Sequence, residues 1–262
     1  MSLIVYEHPL SPYAQKVKIA LDEKGIAYET KMPAAIGTGQ VDREFLSANP
    51  RGEVPALIHG EAALFDSTII LEYIEDNWPT PPLLPKDALG RARARTIEDV
   101  MDTTFEPINW GMGEIRWFKR AEGARAAEIE RRAAAQARGI YDWLSRMLGD
   151  AEWFGGKTFG WADLSVVPYL NGARGNGIGP YEGSSLGAWL KRANGRPSVA
   201  KAAKAAADSI TGMANVADAV KARVFKREYR DHRLEWMIRS GGIDVVLEGM
   251  KTDTIRFSNE MS

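Results

Sequence analysis

The segment NPRGEVPALIHGEAALFDSTIILEYIEDNW, residues 49–78, decides how the rest of the chain is read. Asn49-Pro50-Arg51-Gly52 is a turn signal, because proline presets one backbone dihedral and glycine accepts the positive φ that other residues resist. Two apolar runs follow, VPALIHG and AALF, separated by a tight turn near Gly60, and they predict a pair of short strands. At Asp66 the period changes. Ile69, Ile70, Tyr73 and Ile74 fall on one helical face and acids take the other, so residues 66–78 predict an amphipathic helix.

Upstream, LIVYE (3–7) is β-branched and aromatic and reads as a short buried strand. A helix starts at Pro12, with Val17, Ile19, Ala20 and Leu21 near one face, and Gly25 is placed to end it in the left-handed conformation. IAYETKM (26–32) alternates like a second strand, and a polar connection containing AAIGTGQVDREF leads back to Asn49. The order is βαβ then ββα, an α/β domain over residues 1–78. Downstream, PTPPLLP has four prolines in seven residues and can continue neither helix nor sheet. We read 79–86 as a stiff linker between domains. Residues 87–262 then read as helical, over roughly 87–120, 123–149, 161–174, 185–195, 198–208 and 213–240. The fold class is α/β plus all-α.

Composition narrows the function. The chain of 262 residues is 45% hydrophobic, enough for a sizeable core. Its formal net charge of -1 provides no pull toward phosphate backbones or anionic lipid, so no nucleic-acid partner is expected. The basic stretch AEGARAAEIERRAAAQAR carries its acids at helical spacing and reads as a solvated helix face. No cysteine is present, which removes disulfides, thiolate metal sites and thiol catalysis. The opening MSLIVYEHPL is too quickly polar for a secretory signal, and no run approaches the ~18 apolar residues of a membrane span. A cytoplasmic protein without membrane attachment or metal is the expectation. GNGIG (175–179) follows a helix rather than a strand and is no phosphate loop.

Four features of the first domain can carry chemistry, and each has a plain structural alternative. Ser11-Pro12 is a common helix start, yet the hydroxyl also stands at the positive end of a helix dipole, where it could donate to a thiolate. Val54-Pro55 implies an edge strand or a cis turn, which would leave Val54 free to pair with an extended peptide. Asp66-Ser67 is an ordinary cap, or else a site where backbone N–H groups and Ser67 hold a carboxylate while Asp66 pairs with an ammonium. Gln40 is a surface glutamine or a donor to a second carboxylate.

A serine after strand one, NPRGEVPAL some forty residues on, and a D-S helix start after it form a layout that resembles the glutathione transferases. The resemblance spans about residues 3–205 and includes FGWADLSVVPYL (159–170) and WLKRANGRPSVAKA (189–202). Gly160 departs from the family's usual Ser or Thr ahead of Asp163, which predicts a small stability cost. The family's N-terminal domain is thioredoxin-like, and SPYAQKVKIALDEKGI looks most like the tau class and bacterial aryl-ether-cleaving enzymes. The resemblance implies that Ser11 activates glutathione and that Gln40, Glu53, Val54, Pro55, Asp66 and Ser67 hold the tripeptide. Tyr6, on strand one, is the rival hydroxyl. It further implies a homodimer and a small hydrophobic electrophile as second substrate, an aryl ether or halide among the candidates. His8, Leu10, Tyr13, Trp110, Trp117 and Phe118 are candidates for the wall of the electrophile pocket. A binding protein that carries glutathione or hydrophobic ligands without turnover is the alternative. Residues from about 208 onward extend past the family's usual end, with FKREYRDHRLEWMIRSGGIDVVLEG reading as a basic amphipathic helix, a break and an apolar segment. They are expected to form a cap, a dimer contact or a packed tail.

Overall fold

The computed structural model describes residues 2–34, 38, 42–213 and 215–257. Its first part is a four-stranded mixed sheet of β1 (Leu3–Tyr6), β2 (Glu29–Lys31), β3 (Ala56–His59) and β4 (Ala62–Phe65), in the order β2-β1-β3-β4. β1 runs parallel to β2 and antiparallel to β3, and β3 pairs antiparallel with β4. Helices α1 (Pro12–Glu23) and α3 (Ser67–Asn77) pack against each other and share a core of Val17, Leu21, Ile70 and Ile74. Gly25 follows α1 with φ +66. The thioredoxin-like arrangement expected from βαβ–ββα is present.

Two details differ from the expectation. A short helix, α2 (Arg43–Ala48), lies in the connection read as polar, capped by the Asp42 carboxylate accepting from Phe45 N at 3.1 Å. It buries only Phe45 and Ala48, too few for a helical period to be visible. Nor does β3 form an edge, since it lies between β1 and β4. The Val54–Pro55 peptide is cis, and Pro55 stands one residue before the first paired position, Ala56 opposite Tyr6 and Phe65. A residue without an N–H is tolerated there because the ladder has not yet begun.

The second part is helical: α4 (Ala88–Asp99), α5 (Glu106–Arg116), α6 (Gly123–Leu148), α7 (Trp161–Gly175), α8 (Ser185–Asn194), α9 (Pro197–Ile210), α10 (Val216–Lys221), α11 (Asp231–Arg239) and α12 (Ile243–Lys251). A π-helical segment, Val100–Phe105, interrupts the single helix expected over 87–120. The single helix expected over 213–240 is also broken. Arg223 takes φ +60 after α10, and the chain then runs extended as β5 (Arg227–Glu228), parallel to β6 (Ile255–Arg256). Its reason lies in the partners of the extended stretch, which are buried carboxylates on α5.

Gly160 is not merely tolerated. A Cβ at this position would lie 2.5 Å from the Leu83 carbonyl oxygen of the proline-rich connection, which also accepts from Trp161 N at 2.8 Å. The expected cost of a glycine cap is therefore outweighed by the close approach it permits. Asp163 accepts from Gly160 N at 3.0 Å, Phe154 N at 3.1 Å and Trp189 Nε1 at 2.8 Å.

The two parts are joined through charge as well as apolar packing. Lys16 on α1 is fully buried, with Nζ 2.5 Å from both Glu98 and Asp102. Glu98 also accepts from Thr68 Oγ1 at 2.9 Å and Trp161 Nε1 at 2.5 Å, and Asp102 accepts from Tyr169 Oη at 2.7 Å. A buried lysine is stable only with such partners. On α5, Gly111 forms a notch, because a Cβ there would lie 2.0 Å from the ring of Trp236 on α11. No helix among the described residues is long and apolar enough to cross a membrane.

Candidate functional site

A cavity of about 970 Å³ opens between the sheet domain, the helices and the C-terminal segment. Ser11, Glu53, Val54, Pro55, Asp66 and Ser67 all line it, as do His8, Leu10, Tyr13, Trp110, Trp117 and Phe118. The topology brings them together because β1 and β4 end, and β3 starts, at one end of the sheet, where α1 and α3 start. Gln40 lies outside the described residues.

Ser11 is the N-cap of α1 and accepts from Ala14 N at 3.3 Å. Among the described residues its own O–H donates to no partner. The cap and a donor into the cavity are thus compatible roles of one hydroxyl. Tyr6 does not line the cavity. It is buried against Phe45, with ring centroids 5.3 Å apart, and its hydroxyl donates to Glu44 Oε1 at 2.8 Å. Burial and then that carboxylate push its pKa up to about 12.

Neither the N–H nor the C=O of Val54 makes a backbone hydrogen bond among the described residues. Asp66 has φ 73 and ψ 125, a conformation that costs a non-glycine residue about 1–3 kcal/mol. Its carboxylate takes the N–H groups of Thr68 at 2.9 Å and Ile69 at 3.4 Å. The helix-end site is thereby narrowed to Ser67, whose N–H and hydroxyl have no partner among the described residues, and to the other oxygen of Asp66.

The opposite wall is aromatic and unexpectedly charged. Trp110 meets Tyr229 edge-on at 4.7 Å, and Phe118 stacks with Phe225 at 5.9 Å. Tyr13 is held by Asp102 O at 2.9 Å, and burial raises its pKa well above the ordinary value. Burial also lowers the pKa of His8, more than Glu7 raises it.

Composition and pattern did not reveal the carboxylates beneath this wall. Glu106 and Glu114, 4% and 1% exposed, anchor the C-terminal segment. Glu106 receives Arg233 Nη2 at 2.6 Å and His232 Nε2 at 3.1 Å. Burial would raise its pKa, but Arg233 and His232 overcome this and hold it at about 2. Glu114 accepts from Arg227 Nε and from Tyr229 Oη at 3.1 Å, and the Arg120 guanidinium lies at ion-pair distance, Nε 3.2 Å away. A signal existed: Glu98, Asp102 and Glu106 recur at four-residue intervals on a face otherwise occupied by Met101, Phe105 and Ile108.

Known proteins agree with this architecture. Residues 5–82 match the family model of the glutathione S-transferase N-terminal domain, and residues 122–199 match that of the C-terminal domain. The chain is 31% identical to glutathione S-transferase U24 of Arabidopsis thaliana over 76% of its own length and 88% of that protein. It is also 31% identical to a maleylacetoacetate isomerase of Pseudomonas aeruginosa, over 72% of this chain and 86% of that one. A glutathione S-transferase structure from Rhodospirillum rubrum superposes with a TM-score of 0.66 at 28% identity, over 76% of this chain and 91% of that chain.

Proposed function

The chain belongs to the glutathione S-transferase family, and from that premise we propose that Ser11 activates the thiol of glutathione for attack on a small hydrophobic electrophile. The observation that carries the reading is that Ser11, whose O–H donates to no partner among the described residues, lines the same cavity as Val54, whose backbone makes no backbone hydrogen bond among them.

Glutathione, when bound, supplies the sulfur nucleophile; the chain binds, orients and tunes it. Val54 pairs with the cysteinyl backbone, Ser67 receives a carboxylate, and Asp66 receives the γ-glutamyl ammonium. Glu53 and Gln40 complete the cradle. The Ser11 hydroxyl donates to the ionised sulfur, and a hydrogen bond to an ionised group is worth about 1.5–3 kcal/mol. At about 1.4 kcal/mol per pKa unit, this lowers a thiol near 8.5 by roughly one to two units. The start of α1 adds a few tenths to about one kcal/mol in the same direction. Sulfur then bonds to carbon, and an aryloxide or halide departs with the bonding pair while the thiol proton goes to solvent. His8, Leu10, Tyr13, Trp110 and Trp117 form the electrophile's wall. The family is generally dimeric, and we take this chain as a cytoplasmic homodimer.

The test is the ultraviolet thiolate absorbance of bound glutathione against pH. Wild type should show a thiol pKa near 7, and Ser11→Ala should return it toward that of free glutathione, with Tyr6→Phe unchanged. Binding without a shift in wild type would reduce Ser11 to a helix cap and favour a ligand-carrying protein without turnover.

A further inference from the structure

Four arginines of the C-terminal segment line the cavity: Arg227, Arg230, Arg233 and Arg256. Three are matched to a carboxylate at hydrogen-bond distance. Arg227 holds Glu114, Arg256 holds Glu228, and Arg233 holds Glu106 through Nη2 at 2.6 Å and Nε at 3.1 Å. Lys226, the remaining cation of this wall, is paired with Asp253 at 2.7 Å. Arg230 is different. Its closest charge partner among the described residues is Glu53 Oε2 at 3.5 Å, beyond good hydrogen-bond length, and its side chain keeps 29% of its exposure.

The place of Arg230 matters as much as its partner. Glu53 immediately precedes Val54, and Tyr13, which lines the same cavity as Arg230, is two residues beyond Ser11. The guanidinium therefore reaches across the cavity from the C-terminal segment toward the loops that carry the proposed thiol cradle. A partly desolvated guanidinium with spare planar donors is suited to bidentate recognition of a carboxylate. The surrounding wall, with Trp110, Trp117 and Phe118, suits the apolar body of a small molecule.

We propose that Arg230 is a specificity-determining residue that selects electrophiles carrying a carboxylate close to the carbon attacked by sulfur. This rests on the glutathione reading above and adds to it the chemical class of the second substrate: an apolar, anionic electrophile rather than a neutral one. The residue lies beyond residue 199, where the match to the family's C-terminal model ends.

Two product mimics of equal chain length test it: S-propylglutathione and S-(2-carboxyethyl)glutathione, titrated calorimetrically into the full chain at pH 7.5, where the added carboxylate is ionised. Wild type should bind the carboxyethyl conjugate about tenfold or more tighter, the effect of one charge-assisted pair. In Arg230→Gln this ratio should fall to near one, and Arg230→Lys should retain part of it. Equal affinities in wild type, or a ratio unchanged in Arg230→Gln, would overturn the inference; a uniform loss for both conjugates in that variant would make Arg230 part of the glutathione cradle. If neither conjugate nor glutathione itself binds, the glutathione reading fails first and the selectivity with it.

Discussion

Residues 49–78 and residues 223–257 face each other across the same cavity but are built by opposite means. The first stretch is made by neighbours in sequence: a turn at Gly52, a hairpin at Gly60, and a cap at Asp66 whose carboxylate takes N–H groups two and three residues on. The second is made by partners more than a hundred residues away. Arg227 and Tyr229 seek Glu114, and His232 and Arg233 seek Glu106. Short-range signals can be read from a single chain. A carboxylate waiting in a helix core cannot direct the reading of an arginine that far downstream. The basic run FKREYRDHR accordingly looks like part of a basic amphipathic helix and folds as an ionic anchor.

The largest test of this contrast removes one half of an anchor. Arg233→Met leaves Glu106 buried and without its main counter-charge, which should cost about 3–5 kcal/mol in urea denaturation. Adding Glu106→Gln to the same chain should recover most of the loss. A cost below about 1 kcal/mol for Arg233→Met would place the pair among ordinary surface bridges and break the comparison.

Acid should act on the same pair with a defined sign. Glu106 is held at about 2 against an ordinary value of 4.5. A carboxylate with a depressed folded pKa contributes its stability above the unfolded value and loses it as pH falls through the folded one. Between about pH 4.5 and 2 this amounts to about 3 kcal/mol. Tryptophan fluorescence, with Trp236 and Trp110 in this region, should report the release, and Glu106→Gln should flatten that part of the profile.

A smaller effect sharpens the contrast by leaving every charge intact. In Gly111→Ala the added methyl meets the Trp236 ring, and overpacking of this kind costs about 1–3 kcal/mol. The urea midpoint should fall, while thiol titration of bound glutathione should change little, since Gly111 is not among the residues lining the cavity.

How much of the molecule could be read beforehand follows the same division. The strand at Leu3, the helix from Pro12, the hairpin and the helix at Ser67 were legible because periodicity and punctuation coincide there. The residues expected to hold the tripeptide converge on one cavity, apart from Gln40, which lies outside the described residues. Three things were not legible. The helix at Arg43 buries too little to show a period. The π-helical turn at Val100–Phe105 is a local change of pitch with no composition of its own; it carries the Asp102 that meets Lys16 and Tyr169. The need for Gly160 arises from a carbonyl at Leu83, reached only once the chain has folded back.

The notch at Gly111 also has a meaning in time. During synthesis, which adds about 5–20 residues per second, the N-terminal parts of a chain can fold before later parts exist. The sheet and the helices through Ile210 can assemble early, leaving the groove at Gly111, Trp110 and Phe118 as exposed apolar surface until Trp236 leaves the ribosome. For those seconds the nascent chain presents a sticky concave face, which the rings of Phe225, Tyr229 and Trp236 then cover in turn.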